Sequence, residues 1–251
     1  MKATQGFIDI EDRQLFYTVQ GEGPPLLLLH GWTQSSAVWS AFVPTLSKEF
    51  KVYSLDLHWH GRSSVLNSQF SIQQTALDLM AFLKALKLEY SYLMGFSFGA
   101  LVVLQMAAYD SRNLRAMVLM AASAQYNGGE NQELAASFSF ENLPKDFIEA
   151  LHELHPGGEE QLRPLFDPTL DYRIDLKKKD LNQIKIPTLI LQGQKDEIFG
   201  VAPAKNLALN MPNAELITFS KAGHDLFQGN LKTRVLNESL IFLRKLRATN
   251  A

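Results

Sequence analysis

The chain has 251 residues, 46% of them hydrophobic and 20% charged, with a formal net charge of -2 and no cysteine. That length supports one sizeable α/β core, and a nearly neutral surface supplies no field for nucleic acid or an anionic membrane. Without thiols there are no disulfides, thiolate metal ligands or cysteine nucleophiles, so any nucleophile is oxygen or nitrogen.

From the N-terminus, residues 6–19 read as a hairpin, and residues 25–29 form a short, wholly apolar run suited to a central parallel strand. Further strands are expected at 52–57, 91–95, 116–120, 188–192 and 215–219. Helical patterns lie between most of them, including 72–86 behind a Ser71-x-x-Gln74 capping box. Strands alternating with helices imply a mainly parallel sheet covered on both faces, with ligands beyond the carboxyl ends of its strands. The alternation stops between residues 124 and 184, where scattered aromatics and the pairs Gly128-Gly129 and Gly157-Gly158 replace it. The expected organisation is therefore a core of residues 1–124 and 185–251 and an inserted helical cap over 125–184. Phe138, Phe140, Phe147, Ile148 and Leu151 are expected mainly to pack that cap onto the core.

The pattern Gly95-x-Ser97-x-Gly99 falls where the apolar strand at 90–96 gives way to a proline-free helix at 98–109. A serine on so sharp a turn has its hydroxyl lifted clear of the sheet, and only glycine fits two residues either side. A serine hydroxyl is a poor nucleophile unless a base stands beside it, and the base works best when a carboxylate fixes its tautomer. Loops after two later strands supply candidates: Asp196, with Glu197 as a rival acid, and His224, the sole histidine in the last third of the chain.

Taken with His30-Gly31-Trp32, Asp56 to Ser63, Gly193 to Asp196 and Gly223-His224, this order resembles the α/β-hydrolase family over nearly the whole length. His30-Gly31-Trp32 followed by Val38-Trp39 is similar to pimeloyl-ester esterases and cofactor-free haloperoxidase-like esterases. The resemblance implies an α/β-hydrolase fold and a serine carboxylesterase without a cofactor. Ser97 would be its nucleophile, Asp196 the orienting acid and His224 the base, with backbone N–H groups of Trp32 and Phe98 as the oxyanion hole. The family spacing from Gly193 favours Asp196 over Glu197. The chain departs from the pattern at Trp59, which stands where the family usually has glycine before the His-Gly pair.

A thioesterase, lactonase, C–C hydrolase or perhydrolase on the same machinery, or a ligand receptor that retains the pocket, stays open. Phe138, Phe140, Phe166 and Arg163 are the expected substrate contacts, with Tyr126 and Tyr172 adding to an apolar pocket. His30 is expected to be structural, and His58 and His60 are not read as a metal pair. His152 and His155 are expected to face solvent. The partner is a small-molecule ester rather than nucleic acid or membrane, for a monomer or homodimer. No hydrophobic signal core opens the chain, so a cytoplasmic location is the default expectation.

Overall fold

The computed structural model describes residues 3–64, 70–127, 139–167 and 170–248. Strands β1 (Thr4–Ile10) and β2 (Arg13–Gln20) form the expected hairpin, followed by β3 (Pro25–Leu29) and β4 (Lys51–Leu55). Next come β5 (Ser91–Phe96), β6 (Leu114–Met120), a two-residue pair β7 (Gln125–Tyr126) and β8 (Ile174–Asp175), then β9 (Thr188–Gly193) and β10 (Ala214–Phe219). The main sheet has the order β1-β2-β4-β3-β5-β6-β9-β10, parallel from β4 to β10 and antiparallel in the hairpin and its junction with β4.

Alternation along the central strands feeds two separate cores. Leu27 and Leu29 of β3 point to one face of the sheet and Leu26 and Leu28 to the other, all without solvent exposure. On the first face lie α2 (Ile72–Ala85) and α3 (Phe98–Tyr109). The other face is covered by the short α1 (Val43–Leu46) and the long C-terminal helix of residues Leu231–Ala248. The Ser71 hydroxyl accepts from the Gln74 amide and so forms half of the anticipated capping box. The Gln74 side chain does not return the bond but donates to Asp78.

Between β7 and β9, the described residues form helices α4 (Lys145–Leu154), α5 (Gly158–Leu165) and α6 (Lys178–Gln183) in place of a single crossover helix. Phe140 and Leu151 are buried as expected and Ile148 partly so, but Phe147 is among the exposed large apolar side chains. It lies one turn before Leu151 and on the same side of α4, so the core covers that stripe only at the C-terminal end of the helix. Helices α7 (Ala202–Asn210) and α8 (the C-terminal helix) complete the α/β layer.

A buried ionic knot joins three elements. Arg13 of the hairpin and His58 of the loop after β4 both meet the Asp78 carboxylate of α2, the histidine at 3.0 Å. Burial alone would raise the Asp78 pKa, but the hydrogen bond and charge of His58, with Gln74 and Arg13, outweigh it and hold the carboxyl below its usual range. The Arg13 and Asp78 side chains are only 9% and 4% exposed, so removing one partner strands a buried charge. Asp78→Ala is expected to cost about 3–5 kcal/mol, read as a lowered urea midpoint; a loss below about 1 kcal/mol would show that water screens the pair.

Candidate active site

Strand β5 ends at Phe96 and α3 begins at Phe98, which leaves Ser97 alone at the elbow. Its backbone has φ 51° and ψ -118°, outside the regions an L-residue prefers, and its hydroxyl caps no helix amide. The flanking glycines show why the elbow needs them. A Cβ on Gly95 would stand 2.5 Å from the Gly99 carbonyl oxygen, and one on Gly99 would stand 2.5 Å from that of Leu29. The helix therefore starts in backbone contact with β3.

Because β5, β9 and β10 are parallel, the loops that follow them emerge on one edge of the sheet. There the Ser97 hydroxyl donates to His224 Nε2 at 2.8 Å, and His224 Nδ1 donates to the Asp196 carboxylate at 2.9 and 3.0 Å. The three residues that the sequence nominated separately thus make one hydrogen-bonded relay. Burial works against the Asp196 charge, yet hydrogen bonds from His224, Phe199 N–H and Gln192 leave its pKa lowered. The backbone amides of Ile198 and Phe199 donate to Oδ1 at 2.8 and 2.9 Å, and the Gln192 side chain donates to Oδ2 at 2.7 Å. An ionised carboxylate with this many donors holds the Nδ1–H tautomer of His224, which leaves Nε2 free to accept from serine.

Glu197, the rival acid, has a different partner: its carboxylate accepts the backbone N–H of His224 at 3.0 Å. It anchors the loop that carries the histidine. Two aromatic rings flank that imidazole, Phe96 at 5.4 Å and Phe199 at 5.3 Å between centroids. Gln192 and Phe199 escaped the sequence reading. The signal for Gln192 was a lone amide closing an otherwise apolar strand.

Across the elbow, the backbone N–H groups of Trp32 and Phe98 have no hydrogen-bond partner among the described residues, and their rings meet edge to face at 5.0 Å. Phe98 is the first residue of α3, so its N–H is one of the donors a helix cannot satisfy internally. His30 supports this loop as expected, accepting from Leu57 N–H at 3.0 Å and donating to the Gly31 carbonyl at 2.7 Å. The Trp32 indole donates to the Leu165 carbonyl at 3.0 Å and packs on Tyr172 at 4.6 Å, tying the loop to the inserted segment. His58 and His60 serve different partners, Asp78 and the His58 carbonyl, and do not converge.

Other nominated residues lie within the insertion itself. Phe140 is buried against Phe166 and under the Arg163 guanidinium, and Arg163 is ion-paired with Glu141 and Glu159. Phe138 lies outside the described residues. His152 is exposed as expected, but His155 is fully buried: it ends α4 with its ring turned inward, toward His60. It was expected to face solvent, whereas the packing of α4 on the loop after β4 covers it.

A family profile described as the alpha/beta hydrolase fold matches residues 24–155. The chain belongs to the α/β-hydrolase family. It is 28% identical over 238 residues to a pimeloyl-[acyl-carrier protein] methyl ester esterase of Nitrosomonas europaea, covering 82% of this chain and 91% of that one. Among solved structures it superposes on a Rhodococcus esterase with a TM-score of 0.76 at 24% identity, over 98% of this chain and 100% of that one. An enol-lactonase from Burkholderia xenovorans gives 0.79 at 19% identity, over 95% and 100% respectively. This hydrolase thus has its sequence likeness among esterases, and the two structures share its fold. No helix of the described residues is long and apolar enough to cross a membrane.

The support around Asp196 has a measurable consequence. Gln192→Leu leaves one carboxylate oxygen without its buried side-chain donor, and we expect a loss of about 1–3 kcal/mol in chemical denaturation. An unchanged midpoint would mean that the remaining donors satisfy the carboxylate by themselves.

Proposed function

We propose that this hydrolase cleaves carboxylic esters through a covalent acyl-serine. The observation that carries the reading is the continuous relay from the Ser97 hydroxyl through His224 to Asp196. Ser97 Oγ attacks the ester carbon as its proton passes to His224 Nε2, and the imidazolium so formed is balanced by Asp196. The carbonyl oxygen turns into an oxyanion beside the Trp32 and Phe98 amides, with the N-terminal end of α3 adding its positive dipole. One such donor is typically worth about 3 kcal/mol in the transition state.

Collapse of that intermediate breaks the bond to the alcohol, which leaves with the proton from His224. Water then attacks the acyl-serine and gives its proton to His224, which passes it to Ser97 Oγ as the carboxylic acid leaves. Every proton in the cycle passes through Nε2.

The inserted segment 125–184 acts in this reading as a cap that shapes the acyl and alcohol pocket. Two aromatic sets support an apolar substrate. Trp32 and Tyr172 pack beside Phe98 on one side of the elbow, and Tyr126 packs on Phe199 beside His224 on the other. Phe166 packs on Phe140 and against the same core. Arg163, already paired with Glu141 and Glu159, offers an acidic substrate a charge only by exchanging those partners.

Ser97→Ala is expected to lower kcat for a short p-nitrophenyl ester by at least about a thousandfold with an unchanged circular-dichroism spectrum. Turnover within tenfold of wild type would refute the acyl-serine. Across p-nitrophenyl esters of graded acyl length, kcat/KM should rise with added methylenes, by up to roughly fourfold each where the chain is fully buried; a preference for dicarboxylate monoesters would overturn the apolar pocket.

A further inference from the structure

His60 and His155 meet inside the protein, one from the loop after β4 and one from the end of α4, with ring centroids 6.0 Å apart. Both are inaccessible to solvent. In each ring Nδ1 donates to a backbone carbonyl, of His58 at 2.7 Å and of Leu151 at 2.9 Å, and Nε2 has no partner among the described residues. Both are therefore neutral Nδ1–H tautomers whose second nitrogen has a lone pair and no donor to satisfy it. Protonating either ring adds a buried N–H and a positive charge that nothing there accepts.

The surroundings carry little negative charge to offset this. His60 also faces His30 at 5.0 Å, Trp32 at 4.7 Å and Phe98 at 5.9 Å, with His58 on its own loop. The anion acting on His155 and His30 is Asp56, opposed for His155 by His152. Asp56 is committed elsewhere, accepting the backbone amides of Ser36 and Arg62, and the nearby Asp78 is engaged by His58 and Arg13. Burial lowers all three histidines below their ordinary value, His30 to about 4 and His60 well down.

The same junction holds the only cap side chain that grips this loop through backbone carbonyls among the described residues. Buried Gln161 of α5 donates to the Trp59 and Gly61 carbonyls at 3.1 and 2.9 Å, on either side of His60, while its oxygen accepts the Gly157 amide at 3.0 Å. Trp59 has φ 66°, a left-handed conformation costly for a bulky residue, so the loop is held in a strained form while the cap sits on it.

We propose that His60 and His155 form a proton-operated latch between cap and core. Neutral, they let α4 and α5 close on the Trp59–Gly61 loop; protonated, the two rings repel and draw in water, and the cap lifts. Trp32 transmits the change, since its ring touches His60 and its indole donates to Leu165 of α5. This rests on the reading of Trp32 as an oxyanion-hole residue and regulates that same site. The closed form binds protons less tightly than the open form, where the histidines regain an ordinary value near ~6.5. Closure is thus complete above about pH 6.5 and is lost as pH falls below it toward the closed-state values. At pH 5 the open population gains up to about thirtyfold per histidine.

Hydrogen–deuterium exchange at pH 7.5 and 5.0, corrected for the intrinsic pH dependence, tests this on the Ser97→Ala protein. Its outcome is then independent of catalysis, and the acyl-serine is judged separately by the loss of ester turnover. Residues 145–165 should show at least tenfold excess exchange at pH 5.0, with β3 and β5 protected. His155→Asn keeps a donor for the Leu151 carbonyl but cannot take a proton, and should cut the excess at least about fivefold, to what His60 alone contributes. In an otherwise wild-type enzyme it should leave ester turnover at pH 7.5 unchanged. Absence of the excess, its spread through β3 and β5, or its persistence undiminished in His155→Asn overturns the latch. If that variant fails to fold, histidine nitrogen shifts of the full-length protein decide: both rings neutral at pH 5.0 overturn the proposal, and both charged uphold it.

Discussion

Ser97 keeps an unfavourable backbone conformation because two strands and a helix leave it nowhere else to go. Its amide donates to the Met120 carbonyl of β6 at 2.8 Å, and the Gly99 amide donates to the His30 carbonyl beyond β3 at 3.1 Å. The elbow is pinned from both sides of β5, and the strain of roughly 1–3 kcal/mol is borne by the surrounding sheet. Once α3 starts in contact with β3, the His30-Gly31-Trp32 loop must cross beside its N-terminus. The free amide of Phe98, the free amide of Trp32 and the serine hydroxyl are thus consequences of one close backbone approach.

The site and the junction behind it treat polar atoms in opposite ways. Asp196 is surrounded by donors that stabilise its charge, and His224 is steadied between Phe96 and Phe199. Every polar atom in the relay has a partner, which favours one geometry and one tautomer. Behind Trp32, by contrast, His60 and His155 each leave Nε2 unmatched. An unsatisfied buried acceptor adds nothing to the stability of the closed form, and so it reads more naturally as a sensing element than as scaffold.

Strand positions were legible because a parallel sheet covered on both faces demands continuous apolar runs, and residues 25–29 and 188–192 have little else to be. The relay was legible for a related reason: each member follows an expected parallel strand, so order along the chain translates into position along one edge. The inserted segment was harder to read. Its helices are short and amphipathic, and which face turns inward depends on the partner surface, as Phe147 and His155 illustrate. Glu197 and Asp196 are adjacent and chemically alike; the family spacing favoured Asp196, and the fold gives Glu197 a task of its own, holding the His224 backbone.

Trp59 shows where the boundary between the two kinds of information falls. From residue identity it was a departure from a position usually occupied by glycine; in the fold it adopts the positive φ that such a position requires, gripped by Gln161 from a segment a hundred residues away. Local pattern decided the sheet, the elbow and the nomination of Ser97, Asp196 and His224, because periodicity and turn chemistry act over a few neighbours. Tertiary structure alone decided that Glu197 holds the His224 backbone, that Arg163 spends its charge on Glu141 and Glu159, and that His60 and His155 share a dry junction. Those outcomes depend on which distant surfaces exclude water together, and spacing along the chain does not encode that.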